Sequence, residues 1–493
     1  SMLLRFEVAF GGDGFSRHGI SPAVAANGSA ITPNDGWLPE IGYQAGRAIS
    51  NPGERRAHGL PERPEFPPLD DPDAPSDPLR AQRVLVDTVI STAPGQTAVA
   101  PGVLRRQWVQ DGRPHFRYVT EAPIRNDPWF YSSDYAVLRD SWNDVAIEVF
   151  HDPSHPWNAQ RIVDASKATL ASMSRDFGPY PLEHLRFTER PGNGGLHAGP
   201  GDVSFQEGFA RYHSDADWRG IDFSFGVAAH EVAHQWWGYK LTPAMVEGAP
   251  LLTESLAWYS ALMVMRETFD AAHERRMMSV LRESFLTPRS QAGKPLLHAT
   301  DWAESYRKGP FAMYALDAYI GTDRVNTALR RLLDAHDGAT VPLATSRDLY
   351  RELEAVTPPR LQWLLHDLLA ANTYWALRTT QAGARELPDG RWEVALDVLA
   401  RKVTVDEDGL PTEVAMDDLV EIGVYAAADE GVEPEALYRR MHRIRAGQQR
   451  ITVVVDAPPA EAGVDPRTVW FALCRAQDVP ESRWWGVDRP PRD

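Results

Sequence analysis

His230-Glu231-Val232-Ala233-His234-Gln235-Trp236-Trp237-Gly238 is the stretch on which the reading of this chain turns. Residues i and i+4 of a helix share one face. Two imidazoles at 230 and 234 can therefore grip one zinc ion while the carboxylate between them reaches a water bound to it. Phe225, Val227, Ala228 and Ala229 upstream, with Val232, Ala233, Trp236 and Trp237, make the segment apolar nearly all round. A helix of that kind is buried, and ionisable groups inside it need a partner. The plainer alternative is a pair of core histidines satisfied by hydrogen bonds. Gly238 is placed to end the helix.

A hydrolytic zinc site normally has three protein ligands and an open position for water, so a third ligand is expected downstream. Glu254 is the best placed, in Leu251-Leu252-Thr253-Glu254-Ser255-Leu256-Ala257-Trp258-Tyr259. Leu252, Leu256, Tyr259 and Met263 mark a buried helical stripe there, on which an uncompensated carboxylate is costly. A solvated or helix N-terminal carboxylate is the alternative for Glu254, and Glu247, in a Pro/Gly-bounded loop, is a weaker rival ligand. Lys240 stands at the sixth position after His234, where metzincins place a third histidine, so that class is excluded.

The rest of the 493-residue chain bounds the possibilities: 51 Lys+Arg against 68 Asp+Glu give a net charge of −17, with 43% hydrophobic and 10% aromatic residues. Length and composition describe several folded domains rather than a disordered or fibrous chain. No basic stripe is visible, which argues against a nucleic-acid partner. The single Cys474 rules out an intramolecular disulfide and any site built on several cysteine ligands. Leu256 to Met265, the longest apolar stretch, is interrupted by Ser260 and is far shorter than the roughly 20 residues a bilayer span needs. No membrane span or signal segment is expected within the chain. Leu3-Leu4-Arg5-Phe6 runs straight into a strand-like pattern, an expectation that the natural protein begins before Ser1.

From Phe6 to about Val137 the pattern is of strands and hairpins, with turns at Asn27-Gly28 and Asp111-Gly112. The Pro- and Asp-rich run from Leu60 to Pro78 reads as a surface excursion. From Asn158, Ile162, Ala165, Leu170 and Met173 recur at helical spacing until Gly178-Pro179-Tyr180-Pro181, and helices are expected to dominate to about Trp375. Beyond it Trp392, Val394, Leu396 and Val398 alternate with polar or small residues, Asp408-Gly409 offers a turn, and Ile451 to Val455 reads as a buried strand. The expectation is a multidomain α+β chain: an N-terminal β domain over 1–150, a mainly helical catalytic domain over 151–375 and a C-terminal β domain over 376–493.

The residues also carry a family resemblance. His230 to Gly238, Thr253-Glu254-Ser255-Leu256-Ala257-Trp258-Tyr259-Ser260-Ala261, and Tyr306-Arg307-Lys308-Gly309 together resemble the aminopeptidase-N-type gluzincins, the zinc peptidases that include leukotriene-A4-hydrolase-like enzymes. The finer resemblance is to the peptidase domain that follows an ABC-transporter-type permease in bacterial proteins. It extends through Ser21-Pro22-Ala23-Val24-Ala25-Ala26-Asn27-Gly28 and Ala462-Gly463-Val464-Asp465-Pro466. It implies a thermolysin-like catalytic domain and a C-terminal β-sandwich. It also implies one zinc per chain on His230, His234 and Glu254, Glu231 as general base, and Tyr306 as hydroxyl donor to the oxyanion.

Two departures bear on substrate. Residues 235 to 253 make 19 between the second histidine and the glutamate, where most of the family has 18. The family's Gly-x-Met-Glu-Asn element is missing as such, and Phe205-Gln206-Glu207-Gly208-Phe209 stands near the expected separation, Glu207 lying 23 residues before His230. Glu207 is the candidate anchor for a peptide's free α-amine, with a solvated surface carboxylate as its alternative. Trp236 and Trp237 read as core rather than substrate platform. The expected function is zinc-dependent aminopeptidase action on peptides. The alternatives are an endopeptidase, an epoxide or ester hydrolase, or a slow peptide-binding and sensing module associated with a permease.

Overall fold

The computed structural model describes residues 7, 23–25, 28–32, 49, 51–61, 63–64, 66–76, 81–191, 195–212, 221–286, 293–301, 304–336, 341–428, 434–466 and 485–486. Cys474, Trp484, Asn27 and residues 3–6 lie outside them. The chain divides into two compact units, Ser1–His273 with Leu329–Thr345, and Glu274–Ala328 with Ser346–Asp493. This division does not follow the boundaries expected at 150 and 375.

The first unit opens with small antiparallel sheets. One has the order β1-β2-β9-β5, from β1 (Ala23–Ala25), β2 (Gly28–Ile31), β5 (Thr97–Val99) and β9 (Phe130–Ser133). A two-stranded sheet pairs β3 (Arg83–Val84) with β8 (Ile124–Arg125), and a third has the order β4-β7-β6, from β4 (Asp87–Ser91), β6 (Val103–Gln110) and β7 (Arg113–Val119). Ala25 lies opposite Gly28, giving the hairpin expected there. Between β6 and β7 the turn is Asp111-Gly112, with φ of 52° and 76°. Positive φ at both centres is what a two-residue hairpin with native twist demands. In the Pro- and Asp-rich run most described residues are exposed, but Leu69 is buried. The run is fastened to the unit by bonds from Glu247 N to Pro67 O (2.9 Å) and from Leu343 N to Pro75 O (2.6 Å).

A five-stranded mixed sheet follows, in the order β10-β11-β12-β14-β13, from β10 (Ala136–Trp142), β11 (Val145–His151), β12 (His184–Arg190), β13 (Leu196–Gly199) and β14 (Asp202–Gln206). Strands β11, β12 and β14 run parallel, while β10 and β13 are antiparallel to their neighbours. Helix α1 (Ala159–Phe177) makes the crossover from β11 to β12 and buries Ile162, Ala165, Leu170 and Met173, as their spacing predicts. Gly178, at φ 91°, stops it. Within the region where helices are expected to dominate, 184–206 holds three strands. Strand β12 is parallel-paired on both sides and buried along nearly its whole length, so its polar residues are paired rather than alternating. Arg186 reaches Glu148 (3.1 Å) and the Ala100 carbonyl (3.0 Å), and Glu189 reaches His155 (2.6 Å).

Beyond the sheet come α2 (Glu207–Tyr212), α3 (Phe223–Ala233), α4 (Leu256–Thr268) and α5 (Ala271–Leu286), the last carrying the chain into the second unit. There α6 (Gly309–Ile320) is followed by α7 (Thr322–Ala335), whose residues from Leu329 return to the first unit, and α8 (Ser346–Val356) and α9 (Gln362–Leu365) of the second unit precede the C-terminal strands. Strands β15 (Thr373–Glu386), β16 (Trp392–Val405), β17 (Pro411–Glu413) and β20 (Gly447–Val455) form one antiparallel sheet. Strands β18 (Asp417–Tyr425), β19 (Ala436–Arg445), β21 (Glu461–Val464) and β22 (Trp485–Gly486) form the other. Val394, Leu396 and Val398 of β16 face the interior, as their alternation predicts. Ile451 to Val455 is not wholly buried: Ile451, Val453 and Val455 point inward and Val454 is 41% exposed, because this sheet keeps a solvent face. Trp375 lies inside β15, so the helical region ends before it.

A candidate zinc centre

Asp222 caps α3, its carboxylate accepting from Phe225 N at 3.0 Å. The helix is buried along almost its whole length, and His230, Glu231 and His234 sit on it at 3%, 7% and 9% exposure. The helix closes at Ala233, and a tight turn through Trp236 and Trp237 follows, with Gly238 at φ 125° beyond it. Both tryptophans are fully buried. Trp236 Nε1 donates to Gly178 O (3.0 Å) and Trp237 Nε1 to Ser260 Oγ (2.8 Å), so they are core. The third expected ligand comes from a wide turn, Leu251–Ser255, that runs into α4. Leu252, Leu256, Tyr259 and Met263 are buried, and the turn brings Glu254 to the histidine pair.

His230 Nε2 and His234 Nε2 are 3.1 Å apart, and Glu254 Oε2 lies 3.4 Å and 3.3 Å from them. Separations of this size are the edges of one face of a tetrahedron whose centre is about 2.0 Å from each corner, the ligand distance of zinc. The donor set, two imidazole nitrogens and a carboxylate, is also that of a hydrolytic zinc ion. His234 Nδ1 donates to the Trp237 carbonyl at 2.9 Å, which leaves Nε2 as the lone-pair nitrogen. The His230 ring lies against Trp258, centroids 4.5 Å apart. Burial opposes charge on His234, yet Glu254 and then Glu231 outweigh it and lift its pKa to about 9. The cluster thus attracts positive charge by construction. The residues fit a zinc ion.

Glu231 is pushed up to about 7, first by burial and further by Glu254, against the pull of His234 and a hydrogen bond from the Ala198 backbone. That contact was not legible in the sequence. It comes from the edge strand β13, which Gln235 ties to the end of α3: Gln235 Nε2 donates to Gly199 O and Gly201 N donates to Gln235 Oε1, both at 2.9 Å. Tyr239 OH donates to Ala198 O. The neighbouring His197 stacks on Trp129, centroids 4.8 Å apart. The only local signal was Gly199-Pro200-Gly201, a tight-turn sequence beside a short strand.

Glu207 stands at the end of the mixed sheet. It opens α2 directly after β14 and lines a small open pocket with Gly28, Tyr135, Asp152, Glu189 and Arg190. No wall of that pocket is a zinc ligand or Glu231. Tyr306 belongs to the second unit, in the five-residue wide turn Glu304–Lys308 that leads into α6.

A buried HExxH helix with a glutamate from the next helical segment defines a gluzincin-type zinc peptidase site. Residues 214–368 match the family described as the peptidase family M1 domain. Residues 459–482 match a family of proteins of unknown function, DUF3046. No curated protein matches the chain. Legionella pneumophila aminopeptidase A, solved in complex with aspartic acid, is similar at a TM-score of 0.53 and 14% identity, over 80% of this chain and 45% of that one. An M1 zinc metallopeptidase from Deinococcus radiodurans is similar at a TM-score of 0.47 and 16% identity, over 59% of this chain and 64% of that one. This chain thus spans less than two thirds of either. Among the described residues no helix is long and apolar enough to cross a membrane.

Proposed function

We propose that this protein hydrolyses peptides with a zinc-activated water. The observation that carries the reading is the closure of His230, His234 and Glu254 on one point beside a buried carboxylate on the same helix. Zinc bound there polarises the scissile carbonyl and acidifies a water. The two histidines and Glu254 hold the ion, and the Glu231 carboxylate takes the proton of the attacking water and passes it to the leaving amine. The Ala198 backbone fixes that carboxylate. Tyr306, by the resemblance of Tyr306-Arg307-Lys308-Gly309, donates its hydroxyl to the developing oxyanion.

Removal of N-terminal residues is the finer reading that the family resemblance supports, with Glu207 as the amine anchor. The missing Gly-x-Met-Glu-Asn element favours endopeptidase action instead. The resemblance at 21–28 and 462–466 supports association with a permease segment outside this chain. The test is a mixed peptide library incubated with zinc-loaded protein and read by mass spectrometry, each peptide present free and N-acetylated. Cuts at the first bond of free peptides alone support the aminopeptidase, internal cuts in both forms support the endopeptidase, and no cuts defeat the peptidase reading.

A further inference from the structure

We infer that Asn372 is a positioning residue for Tyr306, acting through Lys308. The inference rests on the oxyanion role proposed for Tyr306. A wide turn such as Glu304–Lys308 is a rare form of helix that recurs at functional sites, and here side chains fasten both of its ends. At the first end the Glu304 backbone N donates to Asp301 Oδ1 (2.8 Å), while the Glu304 carboxylate accepts from Lys294 N (2.6 Å) and Thr300 N (3.3 Å). At the other end Lys308, 3% exposed, donates from Nζ to Asn372 Oδ1 at 2.5 Å and lies 4.3 Å from the centre of the Tyr374 ring.

Asn372 joins the two ends. It stands immediately before β15, 5% exposed, and its Nδ2 donates to Gly293 O (3.0 Å) and Val405 O (3.1 Å). Gly293 in turn abuts the first end, since a Cβ there would lie 2.7 Å from Glu304 Oε1. The turn that carries Tyr306, the 293–301 segment and Asn372 therefore close a ring of bonds. Asparagine suits this place because one short side chain offers an acceptor to an ammonium group and two donors to carbonyls. A hydroxyl that must meet charge only as it develops has to be held within a fraction of an ångström, which is what such a ring provides.

The experiment is a double-mutant cycle on turnover. The parent, Asn372→Ala, Tyr306→Phe and the double variant are compared for kcat, KM and bound zinc, using the best peptide from the library. Asn372→Ala is expected to lower kcat about tenfold or more, with KM changed less than about threefold and zinc unchanged. In the Tyr306→Phe background it should cost less than about twofold more, because residues acting as one unit are not additive. Asn372→Asp, which keeps the acceptor for Lys308 but loses both donors to Gly293 O and Val405 O, should recover only part of kcat. If Asn372→Ala does not fold, Lys308→Met takes its place in the same cycle. Multiplicative losses with an impaired Tyr306→Phe would overturn the positioning role alone, as would full turnover in Asn372→Ala. A Tyr306→Phe protein as active as the parent would remove the oxyanion role, and the inference with it.

Discussion

Glu231 and Glu254 are carboxylates in one buried cluster, proposed as base and ligand, and two substitutions separate these roles. Glu231→Gln keeps the shape and removes the base, so zinc should stay at one per chain while kcat falls about 100- to 10,000-fold. A variant matching the parent's rate would show that Glu231 is not the base. Glu254→Ala removes a ligand, and titration against a fluorescent chelator should show zinc affinity falling at least tenfold. Equal affinity would return the ligand role to another residue. A third carboxylate acts on stability. Burial lifts Asp202 from 3.8 to about 6, against the opposing effects of Arg186 and a hydrogen bond from Thr188. A carboxyl whose folded pKa is raised contributes stability that is complete below about 3.8 and is lost as pH rises through about 6. Asp202→Asn should therefore gain on the parent above pH 6, by about 1 to 3 kcal/mol, and show no gain near pH 4. Urea unfolding across that range checks it, and a gain independent of pH would mean that Asp202 is not neutralised in the fold.

Helix α3 and the edge strand β13 work as one element, because Gln235 bonds to both Gly199 and Gly201. Gln235→Ala leaves a buried carbonyl and a buried N–H without their partner, at roughly 1 to 3 kcal/mol each. It should lower Tm by several degrees and slow turnover through Glu231, whose bond from Ala198 depends on where the strand lies. An unchanged Tm would mean that another contact holds β13. What could be read from the residues divides along the same line. His230, Glu231 and His234 are one helical turn apart, so their shared face is a matter of spacing, and Glu254 declared itself as a charge on an apolar stripe. Strand β12 stayed hidden because its polar residues are buried in pairs with partners far along the chain, which breaks the alternation a strand usually shows. Ala198 acts through its backbone and leaves no mark in its side chain. Glu207 opens a helix directly after β14, a place its separation from His230 could not announce.

All three proposed zinc ligands belong to the first unit, so the whole molecule's response to metal should be uneven. Calorimetry should resolve two transitions, with zinc removal lowering only one. Saturation at about 1,000 times Kd contributes about 4 kcal/mol to the unit that binds. Equal shifts in both, or one cooperative transition, would contradict the division into units. That first unit is also discontinuous, since Leu329–Thr345 completes it. The returning segment supplies the Ala344 carbonyl to Ala244 N (2.8 Å) and the Leu343 N–H to Pro75 O (2.6 Å). During synthesis, then, the ligand residues leave the ribosome about ninety residues ahead of the segment that finishes their own unit, at roughly 5 to 20 residues per second. For several seconds the nascent chain exposes two histidines and a glutamate on an incomplete scaffold. A gene fragment cut at residue 273 would fix the protein in that unfinished state.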